Sequence, residues 1–150
     1  MIWYLAKISF IEQDEKGQKK VVTQDYLFDA VSYTDAETRA YECFSKDLEE
    51  FKVSSISKQK YNDVFYWEDK SDWHYWKSKI NYLVYDERTQ KEKKVPFIFL
   101  ANADNITDAH ELIVFKLGTV QDYKIESIVS TTILDIIEAE VIKEEEKTDG

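Results

Sequence analysis

The chain has 150 residues, enough for one ordinary domain or two small ones, and a formal net charge of −10. That acidity argues against electrostatic capture of duplex nucleic acid or of an anionic membrane surface, because both need clustered positive charge. A single cysteine, Cys43, excludes an internal disulfide, and no apolar stretch is long enough to cross a bilayer. We therefore expect a soluble, cytoplasmic protein with no membrane partner.

Two strands joined by a polar turn are predicted at the start of the chain. Residues 2–11 alternate, and one face of this strand carries the apolar side chains Ile2, Tyr4, Ala6, Ile8 and Phe10. Residues 14–20 are mostly charged and contain one glycine, as a hairpin turn requires. Residues 21–28 are then expected to return as the second strand.

A helix is predicted after this hairpin. Thr34 is expected to be its N-cap, and Glu37, three residues later, completes a capping box. An apolar stripe at helical spacing consists of Ala36, Ala40, Phe44 and Leu48. Its small alanines should let the helix lie close against a sheet. Extended segments are expected next at residues 51–56 and 61–67.

The strand pattern recurs in the second half of the chain. Residues 75–82 repeat residues 3–10 at a shift of 72 residues, so that Trp76 takes the buried place of Tyr4. Residues 95–100 repeat the second strand, and Pro96 places that strand at a sheet edge or at its own start.

The helix and the strand after it recur as well. Thr107 is the corresponding N-cap, although His110 replaces the glutamate of the capping box. The apolar stripe is repeated by Ala109, Ile113 and Leu117, and Gly118 ends the helix. Residues 123–128 match residues 51–56, again at a shift of 72 residues.

These repeats predict an α+β fold built by tandem duplication of a β-hairpin–helix–strand unit, with antiparallel sheets and two packed helices. We expect residues 1–68 to form the first unit and residues 73–137 to form the second, with a core shared between them. Residues 138–150 carry six acidic side chains against two lysines and are expected to form an acidic, flexible tail.

Two motifs in the first half carry a resemblance. The chain opens with a Trp-Tyr pair, and a later segment reads Tyr-Leu-x-Asp-Ala-x-Ser-Tyr-Thr-Asp-Ala-Glu. In these motifs the chain resembles a family of small uncharacterised proteins found in gut-type Bacteroidetes and in the bacteriophages that infect them. The resemblance covers most of the chain up to the acidic tail and implies a phage or mobile-element context, without a reaction. The matching residues are Trp3, Tyr4, Tyr26, Leu27, Asp29, Ala30, Ser32, Tyr33, Thr34, Ala36 and Glu37.

The sequence contains no recognisable catalytic constellation. The three glycines do not form a phosphate-binding loop. His74 and His110 lie in different units and, with Cys43 alone, do not have the spacing of a zinc site. Asp35 and Glu37 are explained by helix capping, and Cys43 is expected to be a small core residue. We therefore predict no catalytic residue, no cofactor and no enzyme, while a carboxylate site for Mg²⁺ stays open.

Aromatic residues are dense in the linker between the units. Those outside the buried pattern are the predicted binding residues Tyr66, Trp67, Trp73 and Tyr75. They form either core between the units or an exposed surface, on which Tyr and Trp anchor partner proteins or stack on single-stranded bases. Lys7 and Lys79 occupy equivalent outward positions and are the predicted cationic binding residues.

Two function classes follow. The first is a non-enzymatic module that binds a protein partner, acting as a phage or mobile-element accessory factor. The second is a single-stranded nucleic-acid-binding protein with an acidic tail. This alternative requires one group of lysines to gather on one face: either Lys7, Lys16, Lys19, Lys20, Lys58 and Lys60, or Lys77, Lys79, Lys91, Lys93 and Lys94. Self-association of the chain also stays open.

Overall fold

The structure is a computed structural model that describes residues 2–48 and 50–139, and it divides the chain into two compact units. Unit 1 comprises Met1–Gln59 and Ile136–Gly150, and unit 2 comprises Lys60–Asp135. The elements in chain order are β1 (Trp3–Gln13), β2 (Lys19–Asp29), α1 (Tyr33–Phe44), β3 (Phe51–Gln59), β4 (Asp63–Phe65), β5 (His74–Asp86), β6 (Lys91–Ala103), α2 (Ile106–Leu117), β7 (Tyr123–Ser130) and β8 (Ile133–Ile137).

The sheet of unit 1 has the strand order β3-β1-β2-β8. β1 and β2 pair antiparallel along their whole length, from Trp3 opposite Asp29 to Gln13 opposite Lys19. The turn between them is held by the carboxylate of Asp14, which accepts the backbone N–H groups of two turn residues at 2.8–2.9 Å. Gly17 in this turn has a φ of +78°, a left-handed conformation that favours glycine.

α1 packs on one face of this sheet through its alanines. Ala36 and Ala40 are fully buried, and Phe44 is half-buried against the same core. The sheet presents Ile8 and Phe28 to this core. The predicted apolar stripe is therefore confirmed for Ala36, Ala40 and Phe44. Leu48 packs on the same core but lies beyond the end of α1.

The sheet of unit 2 has the order β4-β6-β5-β7, so its β7-β5-β6 part repeats the β3-β1-β2 arrangement of unit 1. α2 packs on it through buried Ala109, Leu112 and Ile113, and Trp76 and Tyr82 lie half-buried on the same face. Trp76 thus occupies the core face, as predicted. Gly118, with a φ of +69°, ends the helix as expected.

A β-bulge recurs at the same place in both units. The pairing of β1 with β3 shifts between Lys7 and Ile8, and that of β5 with β7 shifts between Lys79 and Ile80. A bulge at equivalent positions reflects a common strand geometry, which similar amino-acid composition alone would not produce. Together with the common strand order it matches the predicted α+β fold with a two-unit repeat.

The fourth strand of each sheet departs from the expected boundaries. β4 follows β3 in the chain but pairs in parallel with β6 of unit 2. β8 follows β7 but joins the sheet of unit 1. The division therefore falls after Gln59 and after Asp135, rather than between residues 68 and 73 as expected. The pairings of β1 with β2 and β3, and of β5 with β6 and β7, are antiparallel, as expected.

The N-cap of each helix lies two residues before the predicted one. The N-cap of α1 is Ser32, whose Oγ accepts the N–H of Asp35 at 3.0 Å. The N-cap of α2 is Asn105, whose Oδ1 accepts the N–H of Asp108 at 2.9 Å. Thr34 and Thr107 were thus the wrong caps. The Ser/Asn-x-x-Asp pattern occurs in both units, whereas only the first has an acidic residue three positions after the threonine.

Two other expectations have different outcomes. Pro96 lies on the part of β6 that β4 does not cover, since β4 pairs only with Phe99–Ala101; the predicted edge position is confirmed. Most of the predicted tail, residues 140–150, lies outside the described residues. A core shared by the two units stays a prediction.

Candidate functional site

The most exposed aromatic contact among the described residues is in unit 2. The rings of Trp67 and Phe115 lie 5.7 Å apart between centroids, with planes inclined by 38°. Trp67 is 38% exposed and Phe115 is 67% exposed. We call these two side chains the aromatic pair. Much of their apolar area faces solvent, although each ring already contacts the other.

Two different elements position the aromatic pair. Trp67 lies two residues beyond β4, whose Phe65 stacks on Phe99 in the core with a centroid separation of 4.7 Å. Phe115 lies on α2, two residues after buried Ile113 and three after buried Leu112, and therefore at the solvent-exposed margin of the core-facing side. Packing of α2 against the sheet that includes β4 brings the two rings together.

The other predicted aromatic residues have different environments. Tyr75 is only 1% exposed, so it does not form part of an exposed binding surface. Its ring meets the half-buried ring of Tyr66 edge-on at 6.4 Å. Trp73 is 43% exposed, and its carbonyl oxygen accepts the side-chain N–H of Asn102 at 3.0 Å. Tyr75 is therefore corrected to a core residue, because its side chain is buried and its ring packs against that of Tyr66, although Lys77 and Lys79 on the same side of β5 are exposed.

The two predicted lysines each have an acidic partner within their own unit. Lys7 lies 3.5 Å from the carboxylate of Asp25 in unit 1, and Lys79 lies 3.4 Å from that of Glu126 in unit 2. Both lysine side chains are about half exposed, but Asp25 is buried whereas Glu126 is as exposed as its lysine, so only the Lys79–Glu126 pair is a surface ion pair that adds little stability. Both ion pairs lower the positive charge that either lysine presents to an anion.

Neither of the two lysine groups gathers on a single sheet face. In the first group, Lys58 pairs with Tyr4 on the helix-facing side, whereas Lys7 lies on the other side. In the second group, Lys77, Lys79 and Lys94 lie on the side of the sheet opposite the helix. Lys124 of β7, which was not in the predicted group, lies on that side as well. Lys91 and Lys93 pair with residues of the helix-facing side.

The described residues offer little that resembles a catalytic centre. No group of three or more His, Cys, Asp or Glu side chains within residues 2–48 and 50–139 is placed to hold a metal ion. Burial raises the pKa of Tyr61, and burial together with the neighbouring Tyr123 raises the pKa of Tyr82. A tyrosine that holds its proton more tightly is a poorer base or nucleophile, so neither shift points to catalysis. No helix in the described part of the chain is long and apolar enough to cross a membrane.

A family comparison accounts for nearly the whole of both units. The family described as a domain of unknown function, DUF4494, matches residues 2–139. The chain belongs to this family. The expected membership of an uncharacterised family is thereby confirmed. No curated protein and no solved structure matches the chain.

The sequence reasoning did not identify Phe115 in this member of the DUF4494 family. A signal was present, because the stripe of Ala109, Ile113 and Leu117 places position 115 on the solvent side of the helix. A phenylalanine there is not needed for the core. Its contact with Trp67 could not be deduced, since β4 was assigned to the other unit.

Proposed function

We propose that this protein is a non-enzymatic protein-binding module whose principal contact surface is the aromatic pair of unit 2. In the phage or mobile-element context implied by the sequence resemblance, it acts as an accessory factor through protein–protein contacts. The observation that supports this function is the exposure of Trp67 and Phe115 beside each other. Trp and Phe are enriched in protein interfaces, and Trp is among the residues that most often contribute most of the binding energy.

The internal repeat provides a control for this proposal. At the positions equivalent to Trp67 and Phe115, unit 1 has Ala139 and Glu42, both exposed. A unit with the same strand order and bulge therefore forms without an aromatic pair. The exposed rings of unit 2 are not a requirement of the fold, which favours a role in binding.

A capture experiment tests the proposal. The immobilised full chain is exposed to host-cell lysate, and retained proteins are compared among the wild type, Phe115→Ser and Val120→Ser. Val120 is fully exposed and serves as the matched control for loss of an apolar surface residue. We expect Phe115→Ser alone to lose the retained partner, with a cost of at least about 2 kcal/mol if Phe115 is an interface hot spot.

Salt resistance is the second readout of the same experiment. Contact through apolar burial should survive washing at high salt and the addition of an unstructured oligonucleotide. A partner that Phe115→Ser retains as well as the wild type does would contradict the proposal.

Single-stranded nucleic-acid binding is the alternative function. It is favoured by the four lysines on the side of the unit 2 sheet opposite α2, namely Lys77, Lys79, Lys94 and Lys124. The net charge of −10 and the pairing of Lys79 with Glu126 disfavour it. Titration with an unstructured oligonucleotide at low salt should leave tryptophan fluorescence unchanged. Saturable quenching that salt reverses would replace the proposed function by this alternative.

A further inference from the structure

The aromatic pair is bordered by carboxylates on both of its elements. Glu68 and Asp69 directly follow Trp67 and are exposed. On α2, Glu111 lies one turn before Phe115, and Asp108 lies one turn before Glu111 on the same side of the helix. The apolar rings thus lie within an acidic surrounding, which we call the acidic rim.

Nearby positive charge compensates this rim only in part. Lys70 is bound at 2.9 Å to another carboxylate, that of Asp135. Lys116 follows Phe115 but projects about 100° further round the helix. Complementary potentials favour association and suppress wrong partners. The occupant of this surface should therefore combine apolar side chains with positive charge.

We propose that the aromatic pair and its acidic rim dock a cationic, partly apolar segment of a protein partner, with arginine as the central recognition residue. This inference rests on the proposed protein-binding function and specifies the partner. A guanidinium can stack on the exposed face of Trp67 while its N–H groups donate to the carboxylates of the rim. Apolar neighbours of that arginine bury the exposed part of Phe115. An acidic segment is repelled by the rim.

Defined peptides test this inference. The probe is a fluorescein-labelled peptide of alternating arginine and leucine, with a second peptide that has glutamine in place of arginine. Binding to the full chain is followed by fluorescence anisotropy at low and at physiological salt. We expect the arginine peptide to bind more tightly than the glutamine peptide by about tenfold or more.

Two variants and two matched controls locate the binding. Phe115→Ser should weaken the arginine peptide by about tenfold, and Glu111→Lys should weaken it by a similar factor at low salt. Val120→Ser changes another exposed apolar residue of unit 2, Glu87→Lys changes another exposed glutamate, and both should leave binding unchanged. Phe115 and Glu111 are exposed, so these substitutions leave the core intact.

The outcomes separate the inference from the function on which it rests. Equal weakening by Glu111→Lys and Glu87→Lys would show general attraction to an acidic protein and would overturn the inference. The same holds if the two peptides bind equally. Failure of the arginine peptide to bind, while Phe115-dependent capture from lysate persists, would reject the cationic partner and leave the protein-binding function standing. If the arginine peptide fails to bind and capture from lysate does not depend on Phe115 either, the docking surface itself is rejected.

Discussion

Units 1 and 2 share their strand order and β-bulge. They differ in the side chain that binds the backbone of the segment after the fourth strand. In unit 1, the buried carboxylate of Asp29 accepts the N–H of Ala139 and, at 3.1 Å, the guanidinium of Arg39. In unit 2, the equivalent residue is Asn102, whose Oδ1 accepts the N–H of Ser71 at 2.9 Å. The position equivalent to Arg39 is Leu112, which is fully buried.

The comparison separates what the fold requires from what it tolerates. Both units place a buried oxygen acceptor at the end of the second strand, where a backbone N–H needs a partner. Charge at this position is optional, because it appears only where Arg39 is present to balance it. The guanidinium of Arg39 also donates to the carbonyl of Ile137 and lies over the ring of Phe28, so unit 1 uses the charged pair to hold β8.

The largest expected effect comes from removing the charged acceptor. Asp29→Ala removes the carboxylate that pairs with Arg39, whose side chain is 18% exposed, and that accepts the N–H of Ala139. We expect the free energy of unfolding to fall by about 3 kcal/mol in urea denaturation. The control Glu87→Ala, in an exposed turn, should change it by less than about 0.5 kcal/mol.

A double variant sharpens this test by converting unit 1 to the chemistry of unit 2. Asp29→Asn combined with Arg39→Leu should cost less than the sum of the two single substitutions, by about 1–3 kcal/mol. Strict additivity would mean that the two positions do not form a coupled pair.

The fourth strands provide the next comparison. Ile136 in β8 is 1% exposed, whereas the equivalent Val64 in β4 is half-buried. Ile136→Ala should lower the free energy of unfolding by about 3 kcal/mol, because it leaves a cavity in a closed site. Val64→Ala should cost about 1 kcal/mol. A larger loss for Val64→Ala would show that β4, not β8, is the more firmly packed fourth strand.

The helix alanines should behave alike in both units. Ala36→Leu and Ala109→Leu each insert a large side chain into a fully buried contact and should cost about 1–3 kcal/mol. Thr38→Leu, exposed on α1, is the matched control. If Ala36→Leu has the same melting temperature as the parent protein, the helix does not pack by this stripe.

The smallest effect is expected at the helix starts. Ser32→Ala removes the acceptor of the Asp35 N–H and should cost about 1 kcal/mol. Thr34→Ala, within the first turn, should change the free energy of unfolding by less than about 0.5 kcal/mol. Asn105→Ala and Thr107→Ala form the same test in unit 2. If the threonine substitution lowered the free energy of unfolding more than the Ser32 or Asn105 substitution in the same unit, the threonine would be the N-cap of that helix.

Local patterns predicted the hairpins, both helices and the buried alanines correctly. Alternation and helical spacing record which side chains a segment must bury, and this requirement acts within the segment itself. β8 was missed, although its Asp-Ile-Ile at residues 135–137 repeats the Asp-Val-Phe of β4 at residues 63–65. Strands as short as these carry too few alternations for the pattern to be recognised alone.

The aromatic linker shows the limit of such patterns for the candidate site. Tyr75 and Trp67 have the same apolar character in the sequence, yet one is buried and the other contacts exposed Phe115. Their exposure depends on which elements pack around them, and residue type does not specify this.

By itself, the sequence determined the two-unit repeat, the α+β class and the face that each helix buries. Only the tertiary structure decided that β4 joins the sheet of the β5–β6 hairpin, that β8 joins the sheet of the β1–β2 hairpin, and that Trp67 meets Phe115. The physical reason is that periodicity specifies which side of a segment is apolar. The choice of neighbour depends instead on non-local pairing, which is selected by the packing of the whole unit.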